Sequence, residues 1–82
     1  MIDIYSKPNC PYCDKAKMVF KGYRVQFNEY VVGSDISREQ FFEKFPGKKT
    51  VPQIIINGQH VGGYDELTEW IKENDLRNVL SG

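Results

Sequence analysis

Ile2-Asp3-Ile4-Tyr5-Ser6-Lys7-Pro8-Asn9-Cys10-Pro11-Tyr12-Cys13 is the stretch on which the fold turns. Ile2 to Tyr5 alternates apolar and polar residues, the period of a strand. Ser6-Lys7-Pro8-Asn9 follows as a loop, because Pro8 and Asn9 are turn formers. Pro11 suits the first position of a helix, where no N–H is needed. Tyr12, Ala16, Val19, Phe20 and Tyr23 then recur at helical spacing, and Gly22 ends the helix. A strand, a short loop and a helix start therefore deliver two cysteines, Cys10 and Cys13, to one helix N-terminus.

The remaining elements follow outward from that unit. Arg24 to Val32 is rich in β-branched and aromatic residues and predicts a second strand, with a bulge or a frayed end where the alternation slips at Asn28-Glu29. Ser37 with Gln40 predicts a capping box opening a second helix, and Ile36 with Phe41 a hydrophobic staple. Phe41, Phe42 and Phe45 are expected to face the core, and Pro46-Gly47 to stop that helix. Gln53 to Ile56, Asn57-Gly58 and Gln59 to Gly62 predict a hairpin, because Asn-Gly suits a type I′ turn. Asp65 is the expected cap of a third helix carrying Leu67, Trp70 and Ile71, which Leu76, Val79 and Leu80 extend or follow with a short turn.

The order is βαβ, then α, then ββα. A right-handed crossover makes the first two strands parallel, and the hairpin completes a four-stranded mixed sheet. The expected class is α/β. With 82 residues, no internal repeat and no linker, one domain over 1–82 is expected.

Composition narrows the function. Hydrophobic residues are 40% and aromatics 13% of the chain, which suits a globular domain rather than a disordered one. Eleven Lys and Arg balance eleven Asp and Glu, so there is no basic footprint for nucleic acid and no polybasic membrane patch. No stretch approaches the roughly 20 apolar residues of a membrane span, and the first residues resemble no targeting segment. A cytoplasmic, reducing setting is the expectation. Two cysteines so close together cannot frame a secreted domain. In a cytosolic protein such a pair reads as redox-active or metal-binding. A structural zinc site needs four ligands, and only His60 is available to join the cysteines, so no metal is expected. Two inert core cysteines are the bland alternative.

Placed before Pro11, Cys10 becomes the helix N-cap. The unpaired N–H groups and the helix dipole there favour negative charge. The thiolate is the nucleophilic form of cysteine, so the Cys10 pKa should fall below the ordinary value of about 8.5. Lys7 adds a positive charge nearby, and Tyr12 offers an aromatic wall. Cys13, one turn into the helix on the face of Ala16 and Phe20, should be more buried and less acidic. The asymmetry makes Cys10 the nucleophile and Cys13 the group that resolves a mixed disulfide.

Lys7-Pro8-Asn9-Cys10-Pro11-Tyr12-Cys13 resembles the active-site segment of dithiol glutaredoxins, Thr50-Val51-Pro52 resembles their Thr-Val-Pro loop, and Gly62-Gly63-Tyr64-Asp65-Glu66-Leu67 their Gly-Gly-x-Asp segment. The segments follow the family's order and spacing. The resemblance implies a thioredoxin-like fold, a cis bond before Pro52, and glutathione-dependent reduction of protein disulfides and glutathionylated substrates. It implies glutathione as co-substrate with no bound cofactor, and a monomer acting on clients of which ribonucleotide reductase is typical. Lys7, Tyr12, Thr50, Val51, Pro52, Gly63, Tyr64 and Asp65 are then the expected glutathione contacts.

The chemistry of those residues suits the role. The Val51 backbone can pair with an extended peptide. Gly62 and Gly63 allow close approach, and the start of the third helix can take the γ-glutamyl carboxylate. Asp65 can take its ammonium, and Lys7 or Lys49 the glycine carboxylate. The resemblance also implies a polar residue from the second helix, for which Glu39 and Gln40 lie nearby in sequence, although an acidic Glu39 does not suit a carboxylate. Two competing readings are a carrier fed by thioredoxin reductase, which the glutathione contacts disfavour, and an iron–sulfur-bridged dimer, which Pro11 disfavours.

Overall fold

β1 spans Ile2–Ser6 in the structure, a computed structural model that describes residues 1–76 and 78. It is followed by α1 (Pro11–Gly22), β2 (Asn28–Val31), α2 (Arg38–Lys44), β3 (Gln53–Ile56), β4 (Gln59–Gly62) and α3 (Tyr64–Glu73). The sheet order is β2-β1-β3-β4, with β1 parallel to β2 and antiparallel to β3, and β3 antiparallel to β4. The expected α/β class and mixed four-stranded sheet are both present.

Register sorts the strand residues onto two faces. Ile2 and Ile4 pair with Ile56 and Ile54, and their side chains meet Ala16 and Phe20 of α1 and Leu67 of α3 in the main core. Tyr5, one position out of phase, faces the other way against Phe41 and Phe45. α1 and α3 thus cover one face, and α2 the other.

Local signals set several boundaries as expected. Ser37 Oγ accepts the Gln40 amide, and the Gln40 side chain accepts the Ser37 amide, both at 3.0 Å. Ile36 packs against the cluster that holds Phe41. Asn57 (φ 50°) and Gly58 (φ 83°) adopt the two positive φ values that a type I′ turn requires.

Three expectations need correction. β2 is shorter than Arg24–Val32: its pairing begins at Asn28 opposite Asp3, so the slip marks a frayed end. Val25 and Phe27 still pack on the α1 core without joining the sheet ladder. α1 ends at Gly22 as expected, with Tyr23 as its C-cap. Arg24 takes the left-handed conformation (φ 59°), and its amide donates to the Lys21 carbonyl at 3.0 Å. Phe42 is not a core residue: it is 42% exposed, while Phe41 and Phe45 are buried. A seven-residue helix on one sheet face cannot bury three phenylalanines at i, i+1 and i+4 together. Finally, Asp65 does not cap α3. Gly63 is the N-cap, and Glu66 Oε1 accepts its amide at 3.3 Å. Beyond α3, Leu76 is fully buried in the main core, while Val79 and Leu80 lie outside the described residues.

Candidate active site

Asn9, with φ 56°, swings the chain from the loop after β1 into α1, and asparagine tolerates that conformation better than most residues. Cys10 is the N-cap, in extended conformation, with Pro11 at the first helical position. Cys10 and Cys13 form a disulfide, with Cα atoms 5.2 Å apart. The Cys13 amide donates to Cys10 Sγ at 3.2 Å, so one of the unpaired N–H groups of the helix start points at that sulfur. Both cysteines are buried, Cys10 at 6% and Cys13 at 1% exposure. The expected order holds, but Cys10 presents only a narrow window to solvent.

The window faces the segment before β3. The Val51 carbonyl oxygen lies 3.8 Å from Cys10 Sγ, and the Val51–Pro52 bond is cis. Gln53, itself buried, donates from Nε2 to the Thr50 carbonyl at 3.0 Å, and its Oε1 lies 2.8 Å from His60 Nε2. A side chain at the head of β3 thereby ties down the loop that faces the sulfur. Burial, and then the neighbouring Lys48 charge, hold the His60 imidazole below its usual pKa of 6.5 against a smaller opposite push from Glu66. Gln53 is a support that sequence reading missed. The only signal for it was a polar residue at the inward start of an apolar strand.

Two clefts meet at Val51. One, of about 380 Å³, is lined by Lys7, Arg38 and Lys49 together with Val32, Phe41, Phe42 and Val51. The other, of about 330 Å³, is lined by Tyr12, Thr50, Val51, Pro52, Gly63, Tyr64, Asp65 and Glu66. The eight expected glutathione contacts each line one or the other, but not together: Lys7 stands in the first and the other seven around the second, with Val51 shared. The Tyr12 and Tyr64 rings lie 6.0 Å apart, with Lys15 Nζ 5.1 Å above the Tyr12 ring.

Arg38 was missed. The polar residue expected from the second helix was Glu39 or Gln40, yet Gln40 is committed to the capping box, and it is Arg38, the first residue of α2, that lines the cleft. The two glycines have different parts. Gly62 has φ +120°, and a Cβ there would stand 3.0 Å from the Glu66 side chain, so Gly62 is required by the packing that caps α3. Gly63 lines the second cleft, where a Cβ would sit 3.5 Å from the Pro52 carbonyl.

Behind the cysteines, Lys17 of α1 pairs with Glu29 of β2 at 2.8 Å, and the buried Ser6 hydroxyl donates to the same carboxylate at 2.7 Å. The Lys17 hydrogen bond first, and Ser6 second, hold the Glu29 carboxyl below its usual pKa, and the same Glu29 bond raises Lys17. Among the described residues, no group of three or more His, Cys, Asp or Glu side chains is placed to hold a metal, and no helix is long and apolar enough to cross a membrane.

A family model for glutaredoxin matches residues 2–61. The chain belongs to the glutaredoxin family. Glutaredoxin 1 of Rickettsia felis is 43% identical over 83 residues, covering 99% of this chain and 81% of that protein. The solution structure of glutaredoxin from Brucella melitensis superposes with a TM-score of 0.78 at 36% identity, covering 96% of this chain and 86% of that one. A buckwheat glutaredoxin–glutathione complex shares the fold, with a TM-score of 0.79 at 24% identity over 98% of this chain and 76% of that one. The sheet and helices are thus those of the thioredoxin-like glutaredoxins, and membership makes the protein a thiol–disulfide oxidoreductase with a Cys10–Cys13 pair.

Proposed function

We propose that this glutaredoxin is a glutathione-dependent dithiol reductase of protein disulfides and glutathionylated substrates. The observation that carries the reading is the meeting of two chemically different clefts at Val51, beside the sulfur. A cationic cleft and a cleft holding Asp65 both touch Val51, whose carbonyl lies 3.8 Å from Cys10 Sγ. Glutathione carries a carboxylate at its glycine end and an ammonium with a carboxylate at its γ-glutamyl end. The glycine carboxylate suits Lys7, Arg38 and Lys49. The ammonium suits Asp65, and the γ-glutamyl carboxylate suits the first-turn amides of α3. The central cysteinyl unit can pair with the Val51 backbone in extended fashion, between Tyr12, Thr50, Pro52, Gly63 and Tyr64. A glutathione complex of the buckwheat relative supports the assignment.

Catalysis then begins with Cys10. In the reduced protein its thiolate is stabilised by the Cys13 amide and the helix start. It attacks one sulfur of a substrate disulfide, forming a mixed disulfide and releasing the other sulfur as a thiolate. Cys13 attacks the Cys10 sulfur, closing the intramolecular disulfide and freeing the reduced substrate. One glutathione thiolate reopens that bond as a Cys10–glutathione disulfide. A second attacks the glutathione sulfur, leaving glutathione disulfide and the Cys10 thiolate. A glutathionylated substrate enters directly at the Cys10–glutathione stage and needs no Cys13. Glutathione serves as co-substrate rather than bound cofactor, and the reading has the protein work as a monomer in the cytoplasm on protein clients such as ribonucleotide reductase.

The test is a glutathione-coupled assay on three proteins. Wild type should reduce both substrate classes. Cys13→Ser should keep deglutathionylation and lose most protein-disulfide reduction, and Cys10→Ser should lose both. Turnover by Cys10→Ser, or reduction driven by thioredoxin reductase but not by glutathione, would overturn the reading.

A further inference from the structure

We propose that a cationic shelf beyond the glycine end of the glutathione site selects protein substrates whose acidic residues follow the target cysteine. The proposal rests on the placement of glutathione given above. A further cleft of about 330 Å³ is lined by Arg38, Phe42, Gly47, Lys48 and Lys49. It shares Arg38, Phe42 and Lys49 with the cleft that touches Val51, so the two are continuous. Lys48 lines the outer cleft and not the inner one.

The shelf carries three cations and no acidic side chain. Among the described residues, Arg38, Lys48 and Lys49 have no carboxylate partner. Phe42, exposed despite its place in an aromatic helix, supplies an apolar floor. Unpaired cations around an exposed ring suit an extended chain bearing carboxylates.

Direction follows from the chemistry of glutathione. Its glycine comes after its cysteine, so with that end among Lys7, Arg38 and Lys49, the residues after the target cysteine of a protein lead onto the shelf. The opposite flank has the opposite sign: Asp65, Glu66, Glu69 and Glu73 line the groove along α3 that continues from the second cleft. Acidic residues before the cysteine would meet like charge there. The preference is therefore for acids after the cysteine, and not for negative charge in general.

The test uses full-length Cys13→Ser protein, whose Cys10 mixed disulfide exchanges with added thiols but cannot close onto residue 13. The Cys10–glutathione disulfide is equilibrated with the thiol of either of two peptides, Gly-Ala-Cys-Glu-Asp-Leu or its reverse, Leu-Asp-Glu-Cys-Ala-Gly. The peptide thiolate attacks the Cys10 sulfur and glutathione leaves as its thiolate, with no net oxidation. A parallel exchange against free cysteine keeps the peptide comparison readable by itself. Intact mass gives the partition. The acids-after peptide should be favoured about fivefold at low salt, as expected of two exposed charge pairs, and less at high salt. Adding Lys48→Glu, at an exposed position, should cut the preference to about twofold or below while leaving glutathione–cysteine exchange unchanged. Equal partition of the two peptides overturns the proposal. So does a Lys48→Glu effect of equal size on both, which marks indiscriminate attraction of polyanions, nucleic acid included. If glutathione forms the Cys10 mixed disulfide no better than free cysteine does, the glutathione reading fails, and the peptide ratio against cysteine still decides the shelf.

Discussion

The sheet face under α1 and α3 is built from fully buried side chains, Ile2, Ile4, Phe20, Ile54, Ile56 and Leu67 among them. The face under α2 rests on Tyr5, Phe41 and Phe45, ringed by half-buried Tyr30, Val32, Ile36, Val51 and Ile55. The first face holds the helix that carries both cysteines. The second lies beside the cationic cleft and supplies its wall, Phe41 and Val51. The contrast shows how a small chain divides its labour: dense aliphatic packing fixes the reacting sulfurs, and a thinner aromatic layer leaves room for the ligand-binding edge.

The comparison can be broken most directly at one phenylalanine from each face. Phe20→Ala should cost about 3–5 kcal/mol, the range for deleting a ring from a core that cannot collapse. Phe45→Ala should cost less, about 2 kcal/mol, because its half-buried neighbours can move into the gap. Denaturant unfolding of both variants decides, and equal losses would mean the faces are equally rigid.

Ser37→Ala sharpens the α2 side. It removes half of a reciprocal cap from a seven-residue helix and should cost about 1 kcal/mol. Hydrogen exchange should accelerate over Arg38–Lys44 before it does in α1. Uniform acceleration would show that the helix does not open by itself.

The smallest effect lies on the α1 side. Glu29→Gln keeps an acceptor for Ser6 but removes the charge facing Lys17, and should cost at most about 1 kcal/mol at neutral pH for so exposed a pair. The sign with pH is set by the depressed Glu29 carboxyl. Its stabilisation is present above the ordinary value of 4.5 and is lost as pH falls through the folded value. Wild type should therefore lose stability in acid that Glu29→Gln does not. For Lys17, raised above 10.5, the contribution is present below that value and lost as pH rises through the folded one. Parallel acid limbs for the two proteins would show that the pair does not couple to folding.

Much of the fold was legible because the signals were local. The Ser37–Gln40 box, the Asn57-Gly58 turn and Pro11 after Cys10 each act within four residues, where backbone sterics and one hydrogen bond decide the outcome. Errors arose where a residue type had two plausible uses. Asp65 reads as a cap, but Glu66 reaches back to Gly63 instead. Phe42 reads as core, but a short helix on one sheet face has no room for it.

The pair that opens the reading shows where the division falls. The sequence alone determined that Cys10 and Cys13 sit one turn apart at a helix start and that Cys10 is the cap, because spacing, Pro11 and the preceding strand are properties of adjacent residues. Tertiary structure decided that Cys10 is almost closed off, that Val51 faces it from 41 positions away, and that Arg38 rather than Glu39 or Gln40 lines the neighbouring cleft. Those facts depend on which faces of the sheet the helices cover. That is a matter of packing between distant segments, and no local pattern encodes it.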